Sequence, residues 1–263
     1  MHTTRPAAVL PEVKFRDRSV PRLGLGTWQM DRPGEARDAV AEAIDLGYRH
    51  IDTAQMYRNE DEVGAAVERS SLPRGDFFLT TKVWREQLEP QPLRDSVLRS
   101  LEDLRTDHVD LLLIHWPNPE VPLGDSLEAM CRLQADGHVR QLGVSNFPIR
   151  QLRAAVDMAP IATNQVECHV FKRQRDLRSE ARALGVAVTA YCPLARGRVA
   201  EDETIGAIGR RHGRTPQQVA LRWLVQQPDV AAIPKATSRE HLRANLEIFD
   251  FELSPEDLAA IDG

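Results

Sequence analysis

Apolar residues along this chain fall into two alternating patterns. Short, nearly unbroken runs of leucine and β-branched residues occupy Leu23–Thr27, His50–Thr53, Phe77–Val83, Val109–His115, Val139–Ser145, Ile161–Gln165, Val186–Tyr191 and Val230–Pro234. Such runs predict strands buried on both faces, as in a parallel sheet. Between them lie Glu35–Leu46, Asn59–Ser70, Pro92–Leu104, Ser126–Asp136, Ile149–Val156, Arg173–Leu184 and Pro216–Gln226, and Arg239–Ile248 follows the last. Their apolar positions recur every three to four residues, which predicts helices with one face on the sheet. Gly47, Gly137 and Gly185 directly follow helical runs, where a C-terminal cap favours glycine. Eight strand–helix units at roughly 30-residue spacing predict an α/β fold of the (β/α)8 TIM-barrel type. Val13–Phe15 and Ser19–Val20 flank Arg16-Asp17-Arg18 and predict an N-terminal β-hairpin. Ser254-Pro255 opens a C-terminal helix, with serine as cap and proline in the first turn.

Composition adds bounds rather than detail. No shift in composition, flexible linker or charge block marks a boundary, so one domain over residues 1–263 is expected. With 42% apolar and 28% charged residues the chain can bury a full core. Lys plus Arg number 34 against 39 Asp plus Glu, and this net charge of −5 argues against nucleic-acid binding. No apolar run approaches the ~18–20 residues of a membrane span, and the N-terminus lacks a signal-sequence core. Three cysteines without a CxxC imply neither a disulfide framework nor structural zinc. The eight histidines show no close ligand spacing, so no metal is expected. A cytoplasmic monomer acting on a small molecule is the resulting expectation.

In a barrel of this kind the active site lies at the C-terminal ends of the strands. Here the second to eighth strands end in Asp52, Lys82, His115, Ser145-Asn146, Asn164-Gln165, Tyr191 and Lys235. Any one of these alone reads as a turn, cap or solvated residue. Together, each at the end of an apolar strand, they read as a site. Asp52 and Lys82 at adjacent strand ends should pair, because an unpaired buried charge is very costly. A nearby ammonium favours phenolate, so Tyr57, five residues past Asp52, is expected to have a lowered pKa and to donate a proton to a carbonyl oxygen. His115 is placed to orient the same oxygen. No hydride source is present among these groups, so a cofactor is implied. After the last strand, Ile233-Pro234-Lys235-Ala236-Thr237-Ser238-Arg239-Glu240 contains Thr237-x-x-Glu240, a capping box, and with Lys235 predicts an anion site. The partial glycine pattern Leu23-Gly24-Leu25-Gly26 has Gln29 at the third glycine position, so a Rossmann reading is rejected.

Several motifs in one order resemble the aldo-keto reductase superfamily across nearly the whole chain. They are Leu23-Gly24-Leu25-Gly26-Thr27-Trp28, Gly47-Tyr48-Arg49-His50-Ile51-Asp52-Thr53-Ala54, Thr81-Lys82-Val83-Trp84, Asp110 to Pro117, Gly143-Val144-Ser145-Asn146-Phe147, Asn164-Gln165-Val166-Glu167 and Ile233-Pro234-Lys235. Within the family, Ile51 to Glu60 is similar to the bacterial 2,5-diketo-D-gluconate reductase and methylglyoxal reductase group. The resemblance implies NAD(P)H-dependent reduction of aldehydes or ketones, such as 2-oxoaldehydes or diketo sugar acids. It implies Tyr57 as general acid, Lys82 and Asp52 as the pair that tunes it, and His115 as the residue that orients the carbonyl. Ser145, Asn146 and Gln165 then hold the nicotinamide amide, and Tyr191 stacks on its ring. Gly26, Thr27, Cys192, Leu194, Ile233, Pro234, Lys235, Ala236, Thr237, Ser238, His241 and Asn245 correspond to further cofactor contacts. Trp28, Trp84 and Trp116 correspond to the substrate pocket, and the fourth tryptophan, Trp223, belongs to the core.

The chain departs from the family pattern at the phosphate end. Strongly NADP-preferring members carry Arg where this chain has His241 and often Ser where it has Ala236. A neutral imidazole offers one donor where guanidinium offers a charged fork. NADPH is the expected donor, with NADH usable, and Arg239 or Arg243 as possible substitutes. A short segment after His115 and an end at Gly263 imply an open pocket and broad specificity, or a further C-terminal segment. Two other readings use the same residues: a Schiff-base barrel lyase acting through Lys82, and a non-catalytic nicotinamide-binding sensor.

Overall fold

The computed structural model describes residues 10–263. A hairpin, β1 (Glu12–Phe15) and β2 (Arg18–Pro21), precedes eight parallel strands: β3 (Leu25–Gly26), β4 (His50–Asp52), β5 (Phe78–Val83), β6 (Val109–Ile114), β7 (Val139–Ser145), β8 (Ile161–Glu167), β9 (Ala187–Tyr191) and β10 (Val230–Ala232). They pair in chain order. The sheet closes on itself where the Ala232 N–H donates to the Arg22 carbonyl at 2.8 Å and the Gly24 N–H to the Ala232 carbonyl at 2.9 Å. The fold is the expected (β/α)8 barrel.

The surrounding helices are α1 (Glu35–Leu46), α2 (Glu60–Arg69), α3 (Pro90–Asp103), α4 (Leu123–Ala135), α5 (Ile149–Met158), α6 (Arg175–Ala183), α7 (Glu203–His212), α8 (Pro216–Gln226), α9 (Arg239–Leu246) and α10 (Pro255–Asp262). Three points differ from the sequence reading. The first barrel strand shrinks to Leu25–Gly26, with Leu23 held only by an isolated bridge to Ala232. Helix α7 was not expected; its sequence carries Gly206 and Gly209, which weaken the helical pattern. Gly209 is there for space, since a Cβ would lie 2.5 Å from the Arg214 carbonyl oxygen. The cap of α9 is Ser238, whose hydroxyl accepts from the His241 N–H at 3.2 Å, and not Thr237.

The hairpin plugs the N-terminal end of the barrel. Phe15, Val13 and Val20 are buried with Phe78, Leu111, Leu113, Ala162, Ala187 and Ala231 from the strands. Phe15 meets Phe78 edge to face at 5.8 Å. Phe15→Ala should therefore cost about 3–5 kcal/mol of stability in denaturant unfolding, the range for emptying a buried aromatic site. With that end closed, the opposite end is left as the mouth.

Candidate active site

Strand β4 delivers Asp52 and β5 delivers Lys82, neighbours through the Asp52–Thr80 register. Their side chains are almost fully buried, at 2% and 0% exposure, and Lys82 Nζ lies 2.5 Å from Asp52 Oδ1. Lys82 also donates to the Thr53 carbonyl at 2.9 Å and to the Tyr57 hydroxyl oxygen at 3.2 Å. An ammonium has three donors, and all three are used. Asp52 Oδ2 accepts from Gln165 Nε2 on β8 at 2.6 Å, so neither oxygen is left bare. Burial opposes charge on Lys82, but Asp52 and Tyr57 outweigh it and hold its pKa above the usual value.

Tyr57 ends a short 3-10 turn, Gln55–Tyr57, that follows β4. Its ring faces the Lys82 ammonium at 4.8 Å. The expected lowering of its pKa is not what the surroundings produce. Burial pushes the phenol above its ordinary value; the Lys82 charge pulls the other way but does not win. Tyr57 therefore keeps its proton in the resting protein. Because Lys82 donates to the phenol oxygen, the O–H itself is free to point into the cavity.

His115 follows β6, and its ring meets the edges of Tyr57 at 5.6 Å and Trp84 at 5.3 Å. Burial, aided by Lys82, pushes its pKa down to about 3, so the imidazole is neutral. Its Nδ1 is buried and has no partner among the described residues. On β7, Ser145 Oγ donates to the Gln165 carbonyl at 2.8 Å. Asn146, in the left-handed region at φ 63°, donates to the His115 carbonyl at 3.1 Å. Its Oδ1 accepts from the half-buried Tyr191 hydroxyl at 2.8 Å. Asn164, beside Gln165 in the sequence, turns instead to the Phe147 backbone.

Asp52, Tyr57, His115, Ser145, Asn146, Gln165 and Tyr191 line a cavity of about 290 Å³ at the barrel mouth, with Lys82 buried behind them. Trp28, Met56, Trp84 and Trp116 supply apolar walls, and Gly26, Cys192, Ile233 and Lys235 also line the cavity. Trp223 is fully buried on α8, in the core as expected. Met56, Pro193 and Arg196 also line the cavity and were not picked out from the sequence. Met56 stood one residue from Tyr57, and Arg196 four residues past Cys192, so only loop geometry could reveal them. Cys192 is raised in pKa by burial despite Arg196 beside it, so its thiol is not activated.

The rest of the anticipated cofactor set lies outside this cavity. Thr27 is buried under it, its hydroxyl on the Asp52 carbonyl at 3.2 Å. Leu194 is half-buried in the loop after β9, and the Pro234 carbonyl accepts from the Gly26 N–H at 3.2 Å. Ala236 is buried, whereas Thr237, Ser238 and His241 are exposed around the start of α9. Asn245 is buried. Lys235, which does line the cavity, reaches back to the Gln29 carbonyl at 2.9 Å. Arg239 pairs with Glu42 on α1, which occupies one of the two arginines considered for a phosphate.

The residues present fit a nicotinamide group. Ser145, Asn146 and Gln165 put side-chain donors and acceptors on one edge of the cavity, and the Tyr191 ring lines the same edge. Gly26 leaves no room for anything larger: a Cβ would sit 2.7 Å from the Ile233 carbonyl oxygen.

Comparison with known proteins agrees. The model of the Aldo/keto reductase family matches residues 22–263. The methylglyoxal reductase DkgB of Escherichia coli O157:H7 is 40% identical over 248 residues, covering 92% of each chain. The glyoxal reductase of Bacillus subtilis strain 168 is 37% identical over 260 residues, covering 98% of this chain and 94% of its own. A solved structure assigned provisionally as a 2,5-diketo-D-gluconic acid reductase B superposes with a TM-score of 0.94 at 44% identity, over 97% of this chain and 91% of that one. With a matching family model over almost its full length, relatives at this identity and the same barrel, the chain belongs to the aldo/keto reductase family.

Proposed function

We propose that the chain reduces small aldehydes and 2-oxoaldehydes to alcohols, with NADPH as preferred donor and NADH usable. The observation that carries this reading is the buried Asp52–Lys82–Tyr57 chain at the foot of an aromatic-walled cavity. A bound nicotinamide supplies the hydride. Ser145, Asn146, Gln165 and Tyr191 hold that ring, and Gly26, Thr27, Cys192, Leu194, Ile233 to Ser238 and His241 hold the remainder of the dinucleotide. Tyr57 gives its proton to the carbonyl oxygen as negative charge builds there. The phenolate left behind forms next to the Lys82 ammonium, which offsets its burial. Neutral His115 donates one N–H to the same oxygen and adds no charge of its own.

The Schiff-base alternative lacks support, because a lysine with all three donors engaged and its pKa raised is no free amine. The relatives' names support methylglyoxal, glyoxal and a diketo sugar acid as first substrates. A steady-state assay of wild-type protein with these carbonyls, NADPH and NADH in parallel, should show turnover with both donors. Cofactor binding with no turnover of any carbonyl would favour the sensor reading.

The phosphate end makes a separate prediction. His241→Arg should raise kcat/KM for NADPH about tenfold, the worth of one charge-assisted hydrogen bond, and leave NADH unchanged. Equal effects on both donors would place the 2′-phosphate elsewhere.

A further inference from the structure

Behind the cavity wall sits a buried carboxyl that the reaction does not use. Glu60 opens α2 and is 6% exposed. Its Oε1 accepts from Thr81 Oγ1 at 2.5 Å, and its Oε2 from Ser100 Oγ on α3 at 3.2 Å. Thr81 precedes Lys82, and alternation along β5 puts the two side chains on opposite faces. Ser100 Oγ accepts from Gln55 Nε2 at 3.1 Å, and Gln55 Oε1 accepts from the Trp84 N–H at 3.1 Å. Gln55 heads the same turn that ends in Tyr57. One carboxyl thus reaches from the rear to the Lys82 strand, the Tyr57 turn and the backbone carrying Trp84.

On the reading that Tyr57 delivers the proton, we propose that Glu60 is a positioning residue, setting the Tyr57 turn and the Trp84 wall through Ser100 and Gln55. Glu60 has no ion-pair partner among the described residues, and the charges acting on it are Asp103 on α3 and Lys82 on β5. Burial pushes its pKa up to about 7, against the hydrogen bonds from Thr81 and Ser100; Asp103 adds to the rise and Lys82 opposes it. Ionised, Glu60 accepts a hydrogen bond from the Ser100 hydroxyl. Protonated, it becomes a donor, and Ser100 turns its hydrogen to the Ser96 carbonyl, 3.2 Å away. The Ser100 oxygen then accepts from both Glu60 and Gln55, and the bond from Gln55, with that to the Trp84 N–H, changes strength.

The test has a structural and a kinetic arm. Protein labelled with 15N-tryptophan gives one backbone amide resonance per tryptophan, and Trp84→Phe identifies that of Trp84. In wild type this resonance should titrate with a midpoint near the Glu60 value of about 7. It should be flat in Glu60→Gln and in Ser100→Ala, while the Trp223 amide stays still in all three. In kinetics, Glu60→Gln should lower kcat roughly tenfold, as small misplacements of catalytic groups do, with cofactor KM unmoved. The wild-type kcat profile should carry the same inflection and the variant should lose it. A Trp84 titration that is absent in wild type, or persists in both variants, overturns the proposal. So does a wild-type kcat in Glu60→Gln. Should Glu60→Gln fail to fold, Ser100→Ala decides through the Trp84 resonance. Should the wild type turn over no carbonyl, the role of Tyr57 fails, and the Trp84 titration still decides that of Glu60.

Discussion

Tyr57→Phe should lower kcat for carbonyl reduction by about 10²–10⁴-fold, the usual worth of a positioned general acid. The ring stays, and with it the edge contact to His115 at 5.6 Å and the Lys82 ammonium over its face at 4.8 Å. Only the O–H is lost, so cofactor affinity, read by fluorescence quenching, should be unchanged. The pH dependence follows from the direction of the phenol's shift. A pKa held above its ordinary value keeps the acid form through neutral pH. Apart from the inflection near 7 assigned to Glu60, wild-type kcat/KM for reduction should therefore lose the Tyr57 acid only above the usual phenol value of ~10. His115, down at about 3, should contribute no limb near neutrality. For stability the sign is the usual one for a buried neutral histidine. Its contribution is complete above the unfolded value of ~6.5 and is lost as pH falls from there toward the folded value.

Lys82→Met should abolish turnover and also destabilise the protein by about 3–5 kcal/mol, because it strands the Asp52 carboxylate in the interior. Asp52 would keep Gln165 as donor at 2.6 Å but lose its counter-charge. Replacing both, as Asp52→Leu with Lys82→Met, should recover much of that stability while activity stays absent. Chemical denaturation of the two variants beside wild type measures the first point, and the carbonyl assay the second. A double variant as unstable as Lys82→Met would mean the pair is held by packing rather than by its charges.

The barrel was legible because its strands are apolar on both faces and its helices on one, two periods that do not resemble each other. Legibility failed where local sequence ran against the period, as at Gly206 and Gly209 in α7. It failed by one residue at Ser238, since Thr237 and Ser238 are both good caps and only the chain path selects between them. Within the site, strand ends announced Asp52, Lys82 and His115, because a charged residue closing an apolar strand is conspicuous. The direction of Tyr57's pKa could not be read in this way. Its charge partner is visible in the sequence, whereas its burial, which outweighs that partner, is a property of the assembled mouth. Glu60 was hidden for a like reason: at the start of a helix an acidic residue reads as an ordinary favourable charge. Only the packing of α2 against β5 and α3 shows it to be enclosed.

In the proposed reaction hydride reaches the carbonyl carbon from a nicotinamide while the protein supplies the proton. Wild-type protein given methylglyoxal and NADPH deuterated at the transferring position of the ring tests this directly by mass spectrometry of the product. One deuterium is expected on the new carbinol carbon, and none at that carbon in product formed with unlabelled cofactor in heavy water. Product without deuterium at that carbon, or none at all from a protein that binds the cofactor, would contradict it.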